Sequence, residues 1–101
     1  MIDYTFLCKG ICLNETVAKK IICEIFAGEE VPTWIGDIAS QTYEFHEEHG
    51  GILPPDDGGK REIIIMWALN QLRRDGIAKK FSGTRFERGG RWRISTVTIN
   101  S

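Results

Sequence analysis

Long apolar runs are missing from this chain of 101 residues. The longest, Ile63 to Leu69, has seven residues, whereas a helix that crosses a bilayer needs about 20. No membrane partner is expected. The opening Met1-Ile2-Asp3-Tyr4-Thr5 lacks the basic flank and apolar segment of a secretory leader, so the expected location is the cytoplasm. Cysteine is scarce and odd in number. Cys8, Cys12 and Cys23 cannot make a complete internal disulfide framework. Histidine is confined to His46 and His49. A zinc site of Cys8, Cys12, His46 and His49 is formally open, but the 33 residues between Cys12 and His46 far exceed the spacing of a zinc finger. Small thiols that fill the core are the preferred reading. In His46-Glu47-Glu48-His49 the histidines stand at i, i+3, not at the i, i+4 of a zincin helix. The chain has no Ser/His/Asp order and no Gly-rich phosphate loop, and Asp56-Asp57, in a loop, is not read as a metal-nuclease site. Neither catalysis nor a cofactor is expected.

Positive charge is nearly missing from the first 59 residues. Three lysines face eleven carboxylates there, a net of −8. Residues 60–101 reverse this, with ten basic side chains against Glu62, Asp75 and Glu87, a net of +7. The total of −1 conceals the division. Such asymmetry between halves points to a surface that faces a polyanion. Glu44, Glu47 and Glu48 are expected on a solvated helix face, which can repel DNA from the wrong side or meet the basic face of a second copy.

Apolar residues make up 42% of the chain and charged residues 27%, the balance of one soluble globular domain. Residues 2–13 predict a strand, a hairpin or an arm packed on the core. Asn14 is a good N-cap, and Val17, Ala18, Ile21, Ile22, Ile25 and Phe26 form one helical stripe over 15–27, ended by Gly28. Thr33 is expected to cap a second helix that carries Trp34, Ile35, Ile38, Ala39, Thr42, Tyr43 and Phe45 and ends at Gly50-Gly51. The stretch 50–59 holds four glycines and two prolines and reads as a loop. Lys60 to Asp75 is a third helix with Gly76 as its stop. Ile64, Ala68 and Leu72, flanked by Ile65 and Leu69, form its inner side. Arg61, Glu62, Met66, Asn70, Arg73 and Arg74 are assigned to its outer side. Trp67 is expected to finish the core, and Ile63 and Met66 are left open between core and surface. Period-two alternation then begins at Ile77, Lys79 and Phe81 and resumes over Arg91 to Ile99, around a Gly-rich turn: a hairpin. The expected fold class is α+β. Three helices followed by a hairpin is the order of a winged helix-turn-helix, with an N-terminal arm over 1–13, a helical part over 14–76 and a wing over 77–99.

Two segments carry a resemblance. Trp67-Ala68-Leu69-Asn70-Gln71-Leu72-Arg73-Arg74-Asp75-Gly76-Ile77, followed by Gly90-Arg91-Trp92-Arg93-Ile94-Ser95, resembles the N-terminal winged-helix domain of Mrr-type restriction endonucleases. The likeness extends over about 60–98 and is weaker over 15–50. It implies a trihelical winged domain whose third helix and wing face DNA. It does not imply nuclease activity, because the family's cleavage domain follows this module and the chain given ends at Ser101. The segment Ser82 to Gly89 is longer than the family's wing.

The residues themselves suit duplex DNA. A major groove admits a helix, and its base edges are read by Arg, Asn and Gln. Arg61, Glu62, Met66 and Asn70 are the candidate base readers, and Arg73 and Arg74, nearer the helix end, suit phosphate. Lys79, Lys80, Arg85, Arg88, Arg91 and Arg93 are the wing's candidate contacts. Alternation puts Arg91 and Arg93 outward together and Trp92 inward. Phe81 is also read as inward, which leaves Phe86 as the one candidate exposed ring and ranks RNA below DNA. A homodimer through the first helix or the arm stays open. A protein-interaction module, an adaptor or a phage-type inhibitor, is the rival function, and exposure of Ile63, Met66 and Trp67 would favour it.

Overall fold

The computed structural model describes residues 7–55 and 58–96. Its first long helix, α1 (Glu15–Phe26), starts where the sequence places it. The Asn14 side chain accepts a hydrogen bond from the Val17 amide at 3.0 Å, which satisfies one of the donors a helix start leaves unpaired. Val17, Ala18, Ile21, Ile22 and Phe26 are buried at helical spacing.

The next element departs from expectation. Thr33 is not a helix cap. Thr33–Trp34 is a short strand, β1, and α2 (Ile35–Glu48) begins directly behind it without a side-chain cap. Two residues carry too little alternation to be read as a strand, and only the partner strand reveals them. The α2 helix buries Ile38, Ala39, Thr42 and His46. Glu44, Glu47 and Glu48 are exposed on it.

The third helix, α3 (Lys60–Arg74), ends on Gly76 as the sequence suggests. Gly76 takes a φ of 76°, its amide donates to the Arg73 carbonyl at 3.1 Å, and the Ile77 amide donates to Leu72 at 2.9 Å. This paired closure requires a left-handed residue, which glycine supplies without steric cost. The inner stripe of α3 is Ile65, Ala68, Leu69 and Leu72. Ile64 lies at its margin, only partly buried.

The chain then forms β2 (Ala78–Phe81) and β3 (Arg91–Ile94). The three strands make one antiparallel sheet in the order β1-β3-β2. The register pairs Lys79 with Arg93, Lys80 with Trp92, Phe81 with Arg91, and Trp34 with Arg91. Directly paired residues point to the same sheet face. Trp92, Ile94 and Ala78 therefore face the helices and are buried. Phe81 shares the outer face with Lys79, Arg91 and Arg93, contrary to its sequence reading. The inward run begins at Ala78 rather than Ile77, which moves every following side chain to the other face.

Residues 7–13 pack as an arm. Cys8 and Leu13 are buried in the core. Backbone bonds join Gly10 to Gly50, Leu13 to Ile52 and Ile52 to Ile11 at 2.8–2.9 Å. His46 fastens the same segment, with its Nε2 donating to the Ile11 carbonyl at 2.8 Å. The sequence readings for residues 1–6, Asp56-Asp57 and Val97–Ser101 fall outside the described residues. None of the helices in the described residues is long and apolar enough to cross a membrane.

Candidate nucleic-acid interface

The outward stripe of α3 follows from its inward one. With Ile65, Ala68, Leu69 and Leu72 turned to the core, helical geometry sends Ile63, Trp67, Asn70 and Arg74 to the opposite side, at i, i+4, i+7 and i+11. All four are exposed. Trp67 keeps 58% of its surface and Ile63 keeps 42%, so the expectation that Trp67 finishes the core is overturned. The core has already filled its places from the other side of the helix. Met66 is half-buried and turns toward α2.

Arg61 does not join the outer set. It stands at i−4 from Ile65 and i−7 from Ala68, on the inner stripe. Its Nε donates to the Pro54 carbonyl at 2.7 Å, and its guanidinium lies 6.0 Å from the Tyr43 ring centre. That bond ties the 49–59 connection to the start of α3 and turns Arg61 away from the outer side to which the sequence assigns it. Asn70, Arg73 and Arg74 line one hollow at the far end of the helix. Gln71 turns away from them and donates to Asp75 at 3.2 Å.

A larger cleft of about 580 Å³ lies between α2, α3 and the base of the β2–β3 hairpin, the segment that the sequence reading names the wing. Glu62, Ile65 and Met66 border it from α3, Trp34 to Tyr43 from α2 and its approach, and Arg88 and Gly89 from the wing. The structure thus brings the flank of α3 and the wing base to one concavity. Trp34 fixes that arrangement, because its indole Nε1 donates to the Arg88 carbonyl at 2.9 Å.

The wing is braced from within. The Glu87 carboxylate accepts from the Thr84 amide at 2.9 Å and from the Arg91 Nε at 2.8 Å. Another Arg91 nitrogen lies 2.6 Å from the same carboxylate. Hydrogen bonding from Arg91 first, and then from the Thr84 backbone, lowers the Glu87 pKa to about 2. Gly90 completes the bend with a φ of 80°, where a Cβ would stand 2.8 Å from the Phe81 carbonyl oxygen. Arg91 is accordingly a brace of the wing, its charge balanced by Glu87. Arg93 stays exposed and donates to the Glu29 carbonyl at 3.2 Å. Lys79, Lys80, Arg85 and Arg88 are exposed. Lys79 lies 5.4 Å from the Phe81 ring centre, and Lys80 lies 5.7 Å from that of Trp92. Phe86 is 77% exposed at the wing tip, with the Arg85 guanidinium 4.8 Å from its ring centre.

Sequence reasoning missed three parts of this site. The Glu87 brace has a signal in the i, i+4 spacing of Glu87 and Arg91. The exposure of Trp67 has one in the complete inner stripe. The Trp34 bond to Arg88 bridges 54 positions and has none.

The thiols and histidines are dispersed. Cys8 is buried, Cys23 partly so and Cys12 exposed, so core filling holds for Cys8 and fails for Cys12. Burial raises the pKa of Cys8, and also that of Cys23, where Lys19 opposes it. The His49 ring bonds the Phe45 carbonyl at 2.8 Å. Among the described residues no group of three or more His, Cys, Asp or Glu is placed to hold a metal ion. Comparison of the chain with protein-family models, with curated proteins and with solved structures finds no match.

Proposed function

We propose that this chain is a non-catalytic winged helix-turn-helix domain that binds duplex DNA through α3 and the basic wing. The order of one helix, a short strand, two helices and a hairpin suits that layout, as does a sheet in which β3 lies between β1 and β2. The observation that carries the reading is that the exposed cations of the basic half fall in two sets, one at the end of α3 and one along the hairpin. Arg73 and Arg74 end α3 beside Asn70, and Lys79, Lys80, Arg85, Arg88 and Arg93 cover the hairpin. The one acid of the wing, Glu87, is already committed to Arg91. Phosphates are the natural counterpart of such a surface, and neutralising them releases counterions, so affinity falls steeply with salt.

The test is fluorescence anisotropy of a labelled random-sequence duplex at several salt concentrations. Binding should weaken linearly on logarithmic axes, with a slope that reflects several phosphates. Replacing Arg73 and Arg74 together by Ala should reduce that slope by about two. Failure to bind the duplex at low salt would reject the proposal. A second reading, a protein-interaction module, is favoured by one observation, the exposure of Trp67 and Ile63 on α3. Binding that is unchanged by salt and by the double arginine variant would favour it instead.

A further inference from the structure

We infer that Ile63 and Trp67 are the base-reading residues of α3 and that they read the C5-methyl groups of thymine in the major groove. The inference rests on the DNA-binding reading above and gives it a sequence preference. Its starting point is the exposure of two large apolar side chains, 58% for Trp67 and 42% for Ile63, one turn apart on a helix whose core side is complete. An exposed apolar pair on a small domain marks a contact surface.

Its surroundings select the partner. From Ile63 to Arg74 the helix contains no carboxylate, and its outward stripe runs from apolar Ile63 and Trp67 through Asn70 to Arg74. The exposed carboxylates Glu44, Glu47 and Glu48 lie on a different helix. Exposed Lys60 precedes this pair and Arg73 and Arg74 follow it, while Glu62, the one carboxylate of α3, borders the cleft beside α2. An apolar stripe with cations at both ends complements a polyanion that displays methyl groups inside a groove. In duplex DNA the major groove presents such a group at each thymine, and an apolar side chain is its usual counterpart. The dimensions agree. Side chains at i and i+4 have their Cβ atoms about 6 Å apart, which is roughly two base-pair steps of about 3.4 Å. Asn70, one turn further along, is the residue type that reads adenine through N6 and N7. The stripe therefore suits a run of A·T pairs, with Ile63 and Trp67 on the methyl groups and Arg74 at the phosphates.

The test compares two 24-base-pair duplexes of alternating A and T, identical except that one carries uracil for thymine, with the full chain at fixed salt. The substitution removes the methyl groups and leaves the hydrogen-bonding edges and phosphates in place. Each buried methyl is worth about a fourfold change in affinity, so two contacts predict about 16-fold weaker binding to the uracil duplex. Trp67→Ala should reduce that ratio to a few-fold, and Ile63→Ala should do so independently. Both residues are exposed, so circular dichroism should report a folded protein in each case. Equal affinity of the unaltered chain for the two duplexes, with salt-dependent binding retained, overturns this inference and leaves the DNA-binding reading standing. It would reassign the stripe to a protein partner. Absence of binding to either duplex at low salt overturns both.

Discussion

The inner face of the hairpin and the outer face of α3 each present a tryptophan, with opposite results. Trp92 on β3 is 1% exposed, and its indole Nε1 donates to the Gly89 carbonyl at 3.0 Å. Trp67 on α3 is 58% exposed. Both belong to the basic half of the chain, Trp67 within the apolar run Ile63 to Leu69 and Trp92 between Arg91 and Arg93. The difference comes from the local period. On a strand each residue has only two faces to choose from, and Trp92 shares its face with Ile94. On a helix the apolar sector is bounded by the neighbouring layers. Ile65, Ala68, Leu69 and Leu72 occupy it, with Ile64 at its margin. A further large side chain then has to face water, whatever its hydrophobicity. An aromatic ring inside the core is therefore a matter of stability, and the one outside is available for recognition.

Substitution should separate the two most strongly at Trp92. Trp92→Ala removes a fully buried ring and is expected to cost about 3–5 kcal/mol in chemical denaturation. That is a large share of a small domain's stability, and a loss below about 1 kcal/mol would contradict its place in the core. Arg61→Ala should cost about 1 kcal/mol, the worth of an ordinary hydrogen bond, and leave the salt slope of DNA binding unchanged. A slope that fell by about one would return Arg61 to the DNA-contacting set. Trp67→Ala should alter stability by no more than about 0.5 kcal/mol, as expected of an exposed position. Its effect belongs to binding, and a cost like that of Trp92 would erase the distinction.

The smallest effect is confined to acid. The folded pKa of Glu87, about 2, lies below the ordinary value of 4.5. The wing brace is accordingly at full strength above about 4.5 and is lost as pH falls through 2. The Thr84 amide donates to this carboxylate, so its proton chemical shift should titrate with a midpoint near 2. In Glu87→Gln that titration should vanish. A midpoint near 4.5 in the unaltered protein would mean that Arg91 does not hold the carboxylate.

Much of the fold was legible in periodicity and caps. Asn14 and Gly76 act on their immediate neighbours, and short-range hydrogen bonds follow from residue type alone. The exposed wing ring at Phe86 and the inward Trp92 were legible for the same reason. Arg61 and Phe81 were misassigned because each depends on a boundary. Arg61 lies at the helix start, where assignment to a face rests on a single turn. Phe81 depends on where alternation begins, and a one-residue shift reverses its face. The short strand β1 has no local signal, since its pairing partner lies nearly 60 positions away.

The sequence by itself determined the separation of charge, the three helical segments, the hairpin and the residues that start and stop them. Each of these follows from composition or from interactions within a few residues. The tertiary structure alone decided which sector of α3 faces water, that β1 joins the sheet, and that Trp34 bonds the wing at Arg88. It also decided which arginines are spent as braces and which stay available. Those outcomes depend on the space left by other layers and on partners distant in the chain, quantities that no local pattern contains.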